Sequence, residues 1–466
     1  VMYTLAQWDL PGCDMLANRH EYTTAKQAQS VTHQFGRRGV MCEIYGVTNW
    51  DFDFRGHKHM GDWLAALGVT VRVPHLAWMT MKGEAKRDYP SPIDGHTTWY
   101  EKYPLLEDYY ARLNMILESG SPVVRIGVIH PVESYWIQLG PDSTTGQARR
   151  QLEEQYQQLA EWLLFGLSDF DYLSEALLAR HGDAEADGLR VGVMKYDVVV
   201  VPPLYTIRRA TLSLLQRFGE NGGKVIVMGD APACVDGCRD NSAEEAFRKF
   251  IRIGFDRWEL LKRLQEYREI DILSPEGVPA DRLLYQLRQD GEDRYLFIVH
   301  GKKDTGLEYN LWSDTKEGEE WVISVRGAWS VRKLDCESAK AESIRTRYEK
   351  GRTRMDVRLY EDDSLMLMLS PAETGVCDTQ RTGMTGSVDV GEGTDDVSAV
   401  REGSGSECTV REITCSAGID EDGGVRCVTS EGIGSAEQKA ADKHVHEYNL
   451  RGGFGYSLWE PNVFLL

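Results

Sequence analysis

The sequence predicts a multidomain α/β plus β chain: the C-terminal part of a (β/α)8 barrel, then a flavodoxin-like α/β domain, then a β-sandwich. Three observations carry this. Short apolar strands alternate with helical segments through residues 1–270, which is the rhythm of parallel βαβ units. Polar and aromatic residues gather directly after the first strands. From about residue 290 the pattern becomes short β runs separated by turns with Gly and Asp, as in an antiparallel sandwich. With 466 residues the chain has room for about three domains of ~100–200 residues each.

Residues 1–120 supply the barrel part. Thr24 to Phe35 reads as a helix closed by Gly36, Val40 to Ile44 as a strand, Gly61 to Leu67 as a helix ended by Gly68, and Val69 to Val73 as the next strand. These strands are too few for a whole barrel. Residues 121–285 form the second unit. Its strands are Pro122 to Ile129, Asp197 to Val201 and Lys224 to Met228, and its helices Gln151 to Leu167 and Thr206 to Phe218. Residues 286–376 give the sandwich, with strands Tyr295 to His300, Trp321 to Val325, Met355 to Leu359 and Ser364 to Leu369. Residues 377–445 are a low-complexity or divergent loop region, since Ser387 to Glu407 is rich in Gly, Ser, Asp and Glu. Residues 446–466 read as the start of a further β-sandwich. The apolar end Asn462 to Leu466 and the motif-like start at Val1 suggest a fragment.

Composition excludes some partners. The net charge is −20 and no dense Lys/Arg block occurs, which argues against nucleic acid and anionic membrane surfaces. A neutral sugar is compatible with it. The nine Cys show no metal-ligand spacing, so no metal and no cofactor are expected. An odd count without a disulfide framework suggests reduced thiols and a cytoplasmic setting. No run of ~18 apolar residues is present to span a membrane.

Glu43 is the central candidate. It closes the strand that begins at Gly39, and barrel chemistry sits at C-terminal strand ends. A glycosidase needs carboxylates to flank an oxocarbenium-like transition state or to activate water. From position alone, a Glu paired with an Arg is the competing reading. Trp50, Asp51, Asp53, His57 and His59 follow Glu43, and His75, Trp78 and Lys82 follow the next strand. Carboxylates, imidazoles and indoles together suit a polyhydroxylated ligand. Trp63, at helical spacing with Leu64 and Leu67, reads as core.

These residues resemble a known family. Cys42-Glu43-Ile44-Tyr45-Gly46 through Trp50, then Gly61-Asp62-Trp63, Leu67-Gly68-Val69-Thr70 and Pro74-His75-Leu76, is similar to the closing part of a glycoside hydrolase barrel. It resembles proteins related to the family 106 α-L-rhamnosidases and, more distantly, the family 42 β-galactosidases. The resemblance implies that Glu43 is catalytic and that His75 binds substrate. Asp14 would close an earlier strand. Asp14, Tyr45, Trp50, Asp51, His75 and Trp78 are thus the expected sugar contacts. Tyr196 to Pro203 with Gly222 to Ile226 is similar to the amidotransferase-like domain that follows the barrel in these families, and Trp329 to Leu369 resembles their sandwich. The second catalytic carboxylate usually lies on an earlier strand, and none is seen upstream.

The expected function is glycoside hydrolysis on an oligo- or polysaccharide or glycoside, α-L-rhamnosidase-like. The alternative is a carbohydrate-binding or scaffolding protein with a degenerate glycosidase fold. In the α/β domain, Ile129-His130-Pro131-Val132-Glu133 stands where a dinucleotide-binding glycine fingerprint would be, and no nucleophilic Cys occupies an elbow. That domain is expected to be structural, to pack beside the barrel mouth and to support a homo-oligomer contact. His130 and Glu133 are expected to border the sugar site, or else to make a polar interdomain contact.

Overall fold

The computed structural model describes residues 1–17, 20–84, 93–302, 318–360 and 362–372, and the backbone of two short strands at 416–419 and 425–428. The chain divides into two compact units, Val1–Thr374 with Tyr456–Leu466, and Gly375–Gly455. In the second unit, Ser416–Ile419 and Val425–Val428 pair antiparallel. The expectations for the remainder of 377–445 and for 446–466 lie outside the described residues.

The first unit opens with one helical turn, α1 (Met2–Leu5), and then runs strand β1 (Gly12–Met15), helix α2 (Tyr22–Gln34), β2 (Val40–Ile44), α3 (Phe54–Ala66), β3 (Val69–Pro74) and α4 (Pro104–Leu117). The three strands pair in the order β1-β2-β3, all parallel. Parallel strands alternating with helices in this way are the arrangement that a (β/α)8 barrel repeats eight times, and three strands of it are present among the described residues. Along β2, Val40, Cys42 and Ile44 are buried toward the helices, while Met41 and Glu43 lie on the other face. Side chains alternate across a strand, so that second face is the one that is interior in a closed barrel.

Helix α3 starts seven residues before the segment that periodicity marks. Asp53 caps it, accepting from the backbone N–H groups of Arg55 and Gly56 at 3.0 and 3.2 Å. An Asp at this position satisfies donors that have no partner inside the helix. His57 and His59, polar in sequence, are fully buried on α3.

The α/β part contains β4 (Ile126–Ile129), α5 (Val132–Trp136), α6 (Asp142–Leu164), β5 (Phe170–Leu173), α7 (Glu175–His181), β6 (Val198–Val201), α8 (Arg209–Glu220), β7 (Lys224–Met228), α9 (Ser242–Phe247), β8 (Ile251–Ile253) and α10 (Arg257–Leu264). Its five strands are parallel in the order β8-β7-β6-β4-β5. Counted along the chain that is the doubly wound, flavodoxin-like order. The run Val198-Val199-Val200-Val201 shows why. Val198 and Val200 enter one core with Leu163 of α6 and Val31 of α2, whereas Val199 and Val201 enter another with Leu215 and Phe218 of α8. A strand buried on both faces needs apolar residues at every position.

Helix α2 therefore serves both parts. Lys26 pairs with Asp169 at 2.5 Å, His33 with Asp171 at 2.9 Å, and the Gln34 amide donates to the Tyr172 carbonyl at 2.8 Å.

The segment expected as one strand from Pro122 to Ile129 serves two sheets. Ser121–Pro122 pairs with Leu283–Asp290 in the sandwich, and only Ile126–Ile129 enters the parallel sheet. The sandwich also takes Ile270–Leu273, upstream of residue 286, which pairs with Glu319–Arg326. Its two antiparallel sheets have four and six strands, and Ile272, Leu287, Ile298, Ile323, Met355 and Leu367 fill the space between them. The outer face of the larger sheet adds Phe297, Val299 and Met366 to the core of the barrel helices. Lys58 of α3 bonds Ser364 at 2.9 Å across that seam.

Candidate active site

The C-terminal ends of β1, β2 and β3 bring together most of the expected site. Asp14 and Glu43 are register partners across the parallel β1–β2 pair, and Glu43 is in turn the partner of Val73. Partners in register share a face, and neighbouring strands lie ~4.8 Å apart, so the two carboxylates stand side by side. Asp14 is exposed and Glu43 half-buried. Both stand on the face that Met41 and Val73 also occupy, 36% and 40% exposed.

Three aromatic side chains meet in the loops that follow β2 and β3. The rings of Trp50 and Trp78 lie 6.1 Å apart, and those of His75 and Trp78 6.4 Å apart. His75 continues β3, its N–H donating to the Ile44 carbonyl at 2.8 Å. The Trp78 carbonyl accepts from His96 Nε2 at 2.8 Å, so His96 helps set the Trp78 loop. No sequence pattern pointed to His96. Asp51 is exposed after Trp50. Lys82 is described, while Lys86 and Asp88 lie outside the described residues.

Gly46 explains how the three loops meet. A Cβ there would fall 2.8 Å from Leu16 and 2.9 Å from His75, so only glycine lets the loops after β1, β2 and β3 converge. The backbone on either side is strained: Tyr45, Val47 and Asn49 adopt left-handed φ of 72°, 62° and 69°. For a β-branched residue such as Val47 that is an outlier, and such strain gathers at functional sites.

Tyr45 does not stand with the other expected sugar contacts. It is fully buried and packs on Phe52 and His57. Its hydroxyl donates to the His57 carbonyl at 3.1 Å and accepts from Arg72 at 3.2 Å. Its left-handed φ turns the ring to the helix side of the sheet, and burial pushes the phenol up to about 12. Arg72, a candidate partner for Glu43 in the competing reading of a Glu–Arg pair, also points to the helix side. It bonds Glu107 at 2.7 Å and stacks 3.7 Å from the Tyr110 ring.

His57 and Asp53 are structural as well. The Asp53 carbonyl accepts from His57 Nδ1 at 2.7 Å, and burial lowers His57 to about 4, so it is neutral near pH 7.

His130 and Glu133 stand elsewhere. Strand β5 runs along α2 from Lys26 to Gln34, that is, from the helix end next to the β1 C-terminus toward the opposite end. The C-terminal ends of β4 and β5 thus open at the barrel's N-terminal side, away from Glu43. His130 is buried between Tyr156 and Tyr172, and Glu133 is bonded by Arg208. The expectation that they border the Glu43 site placed the right strand ends at the wrong end of α2.

Among the described residues, no group of three or more His, Cys, Asp or Glu is arranged to hold a metal ion, and no helix is long and apolar enough to cross a membrane.

No family model matches the chain, and no curated protein matches it by sequence. Solved structures do. A rhamnosidase from Novosphingobium sp. PP1Y superposes with a TM-score of 0.61 at 16% identity, over 82% of this chain and 37% of that one. A GH42 β-galactosidase from G. stearothermophilus gives 0.49 at 10% identity, over 79% and 60%. An α-L-fucosidase from Paenibacillus thiaminolyticus gives 0.49 at 11% identity, over 78% and 65%. This chain spans little more than a third of the rhamnosidase's length. In fold it is similar to part of a glycoside hydrolase related to rhamnosidases.

Proposed function

We propose that the protein is a glycoside hydrolase, α-L-rhamnosidase-like in substrate, and that Glu43 is one of its two catalytic carboxylates. The observation that carries this is the pairing of Glu43 with Asp14 at the C-terminal edge of parallel strands, with the indoles of Trp50 and Trp78 meeting in the loops that follow β2 and β3. Cleaving a glycosidic bond needs one carboxyl group to protonate the leaving oxygen and a second to attack the anomeric carbon or activate water. Glu43 is fixed on a strand, the rigid support that such positioning requires. Asp14 reaches the same ligand as an acceptor for its hydroxyls, and the indoles offer flat surfaces to its C–H faces. The rhamnosidase likeness favours a deoxyhexose glycone over a galactoside.

The test is a panel of aryl α-L-rhamnosides, α-L-fucosides and β-D-galactosides assayed on the full-length gene product. Turnover of the rhamnoside, abolished by Glu43→Gln, supports the reading. A binding-only protein would retain the sugar and turn over none of the panel.

A further inference from the structure

Cys13 of β1 and Cys42 of β2 are register partners across the parallel pair, one rung before Asp14 and Glu43. Side chains alternate across a strand, so the two thiols share the helix side of the sheet while the two carboxylates share the other face. Cys42 is fully buried in the core that the barrel helices cover, and Cys13, half-buried, packs against the same core. Both are free thiols. Contact with the Cys13 thiol, and then burial, raises the Cys42 thiol well above its ordinary value, so Cys42 keeps its proton. Its Sγ donates to the carbonyl of the next residue, Glu43, at 3.2 Å.

The spacing suits a covalent bond. A disulfide joins residues whose Cα atoms lie about 4.4–6.8 Å apart, and neighbouring strands in register stand ~4.8 Å apart. Among the described residues no other two cysteines face each other in register. Cys234 stands opposite Arg239 and Cys238 opposite Val235 on the hairpin that they share.

We propose that Cys13 and Cys42 are a redox pair, which a small-molecule disulfide of the glutathione class oxidises to a bond that ties β1 to β2 behind Asp14 and Glu43. The half-buried Cys13 is the thiol that the oxidant reaches; as the thiolate it attacks one sulfur of the oxidant and releases one thiol. The Cys42 sulfur then attacks the Cys13 sulfur of the mixed disulfide, and the second thiol leaves with the Cys42 proton. Two protein thiols and one small disulfide thus become one protein disulfide and two small thiols. The second attack is intramolecular, which offsets the reluctance of Cys42 to give up its proton.

Closure reaches the other face of the strands. It draws the two Cβ atoms to about 3.8 Å, ~1 Å inside the strand spacing. It also removes the hydrogen bond from Cys42 to the Glu43 carbonyl. Asp14 and Glu43 are the adjoining rung. On the reading that Glu43 is catalytic, the bridge therefore slows turnover, since a misplacement of ~1 Å costs on the order of 10²-fold.

The test is incubation of the full-length protein with oxidised glutathione, followed by digestion without reductant and mass spectrometry. The expected product is the Cys13 peptide joined to the Cys42 peptide, lighter by two hydrogens than their sum and parted by dithiothreitol. Turnover of an aryl α-L-rhamnoside should fall ~10-fold or more as the bond forms and return on reduction. In Cys42→Ala the Cys13 peptide should carry glutathione instead. Cys13→Ser, a near-isosteric change at a half-buried position, should make turnover indifferent to the oxidant. Recovery of both peptides unlinked from the oxidised parent overturns the proposal, as does Cys13 held there as a stable mixed disulfide. A linked protein with undiminished turnover overturns the hold of the bridge on the carboxylates. A reduced protein that turns over no glycoside refutes the glycosidase reading, while the linked peptide still supports the redox pair.

Discussion

Replacing Lys26 by Met should unseat the helix that joins the barrel strands to the α/β sheet. Lys26 has no exposed side-chain surface and Asp169 only 7%, and their charged atoms are 2.5 Å apart. The Lys26 ammonium also donates to Gln29, and Asp169 accepts from the Phe170 N–H at 2.8 Å. Removing the ammonium leaves the Asp169 carboxylate buried beside the apolar start of β5. Breaking one partner of a buried pair costs ~3–5 kcal/mol, because the survivor keeps its desolvation penalty and loses its counter-charge. With a urea m-value near ~3 kcal/mol/M, the unfolding midpoint should fall by ~1–2 M. The double variant Lys26→Met with Asp169→Leu removes both charges and should recover most of that loss. Urea unfolding followed by far-UV circular dichroism measures all three proteins. A Lys26→Met midpoint within ~0.3 M of the parent would refute the reasoning, as would a double variant no better than the single one.

Three further outcomes follow from the geometry. Under the proposed activity, Glu43→Gln in the full-length protein should lower kcat by at least ~10³-fold, since it keeps the side chain's shape and removes its charge; near-normal turnover would remove Glu43 from catalysis. Trp78→Ala should raise KM for the best aryl glycoside ~3–10-fold with little change in melting temperature, because Trp78 is only partly buried; a large stability loss at unchanged KM would make it a core residue. Glu175 is 3% exposed, and burial raises its carboxyl to about 7 although it accepts from the Arg208 N–H at 2.7 Å. A raised carboxyl stabilises the fold below the ordinary Glu value and loses that contribution as pH climbs to about 7. Glu175→Gln should therefore gain ~3 kcal/mol on the parent between pH 5 and pH 8 in urea unfolding, and parallel pH profiles would contradict the shift.

Much of the architecture was legible because periodicity and burial coincide. Val198 to Val201 reads as a doubly buried strand and is one. Gly36 and Gly68, expected to close helices, both sit at left-handed φ. Legibility failed where tertiary packing overrode the pattern. His57 and His59 hid the first half of α3, because a buried imidazole with a hydrogen bond looks polar in sequence. The break between Ser121–Pro122 and Ile126–Ile129 was hidden because apolar Val123 and Val124 bridge two different sheets. At the candidate site, strand ends located Asp14 and Glu43, but their pairing depends on register, and no local pattern encodes the register of parallel strands. The position of His130 depends on how β5 lies along α2, which rests on contacts more than a hundred residues apart.

The loop after Glu43 ties stability to the candidate chemistry. Three residues in left-handed backbone within five positions cost ~1–3 kcal/mol each, so something must hold them there. One of the restraints, Tyr45, is a residue that sequence reading had placed against the sugar. Tyr45 anchors the loop through its buried hydroxyl, and its carbonyl accepts from Thr48 Oγ1 at 2.6 Å. His57 and Phe52 clamp its ring, and Asp53 begins α3 directly behind it. Gly46 lets the His75 loop close over the turn. The Tyr45, Phe52 and His57 side chains are buried on the helix side of the sheet, and the turn they hold leads to Trp50, whose ring lies 6.1 Å from that of Trp78. The aromatic and acidic residues after β2 therefore divide by direction: Tyr45, Phe52 and His57, turned toward the helices, fix the backbone, and Trp50, turned toward Trp78, is the one that the proposed ligand would meet.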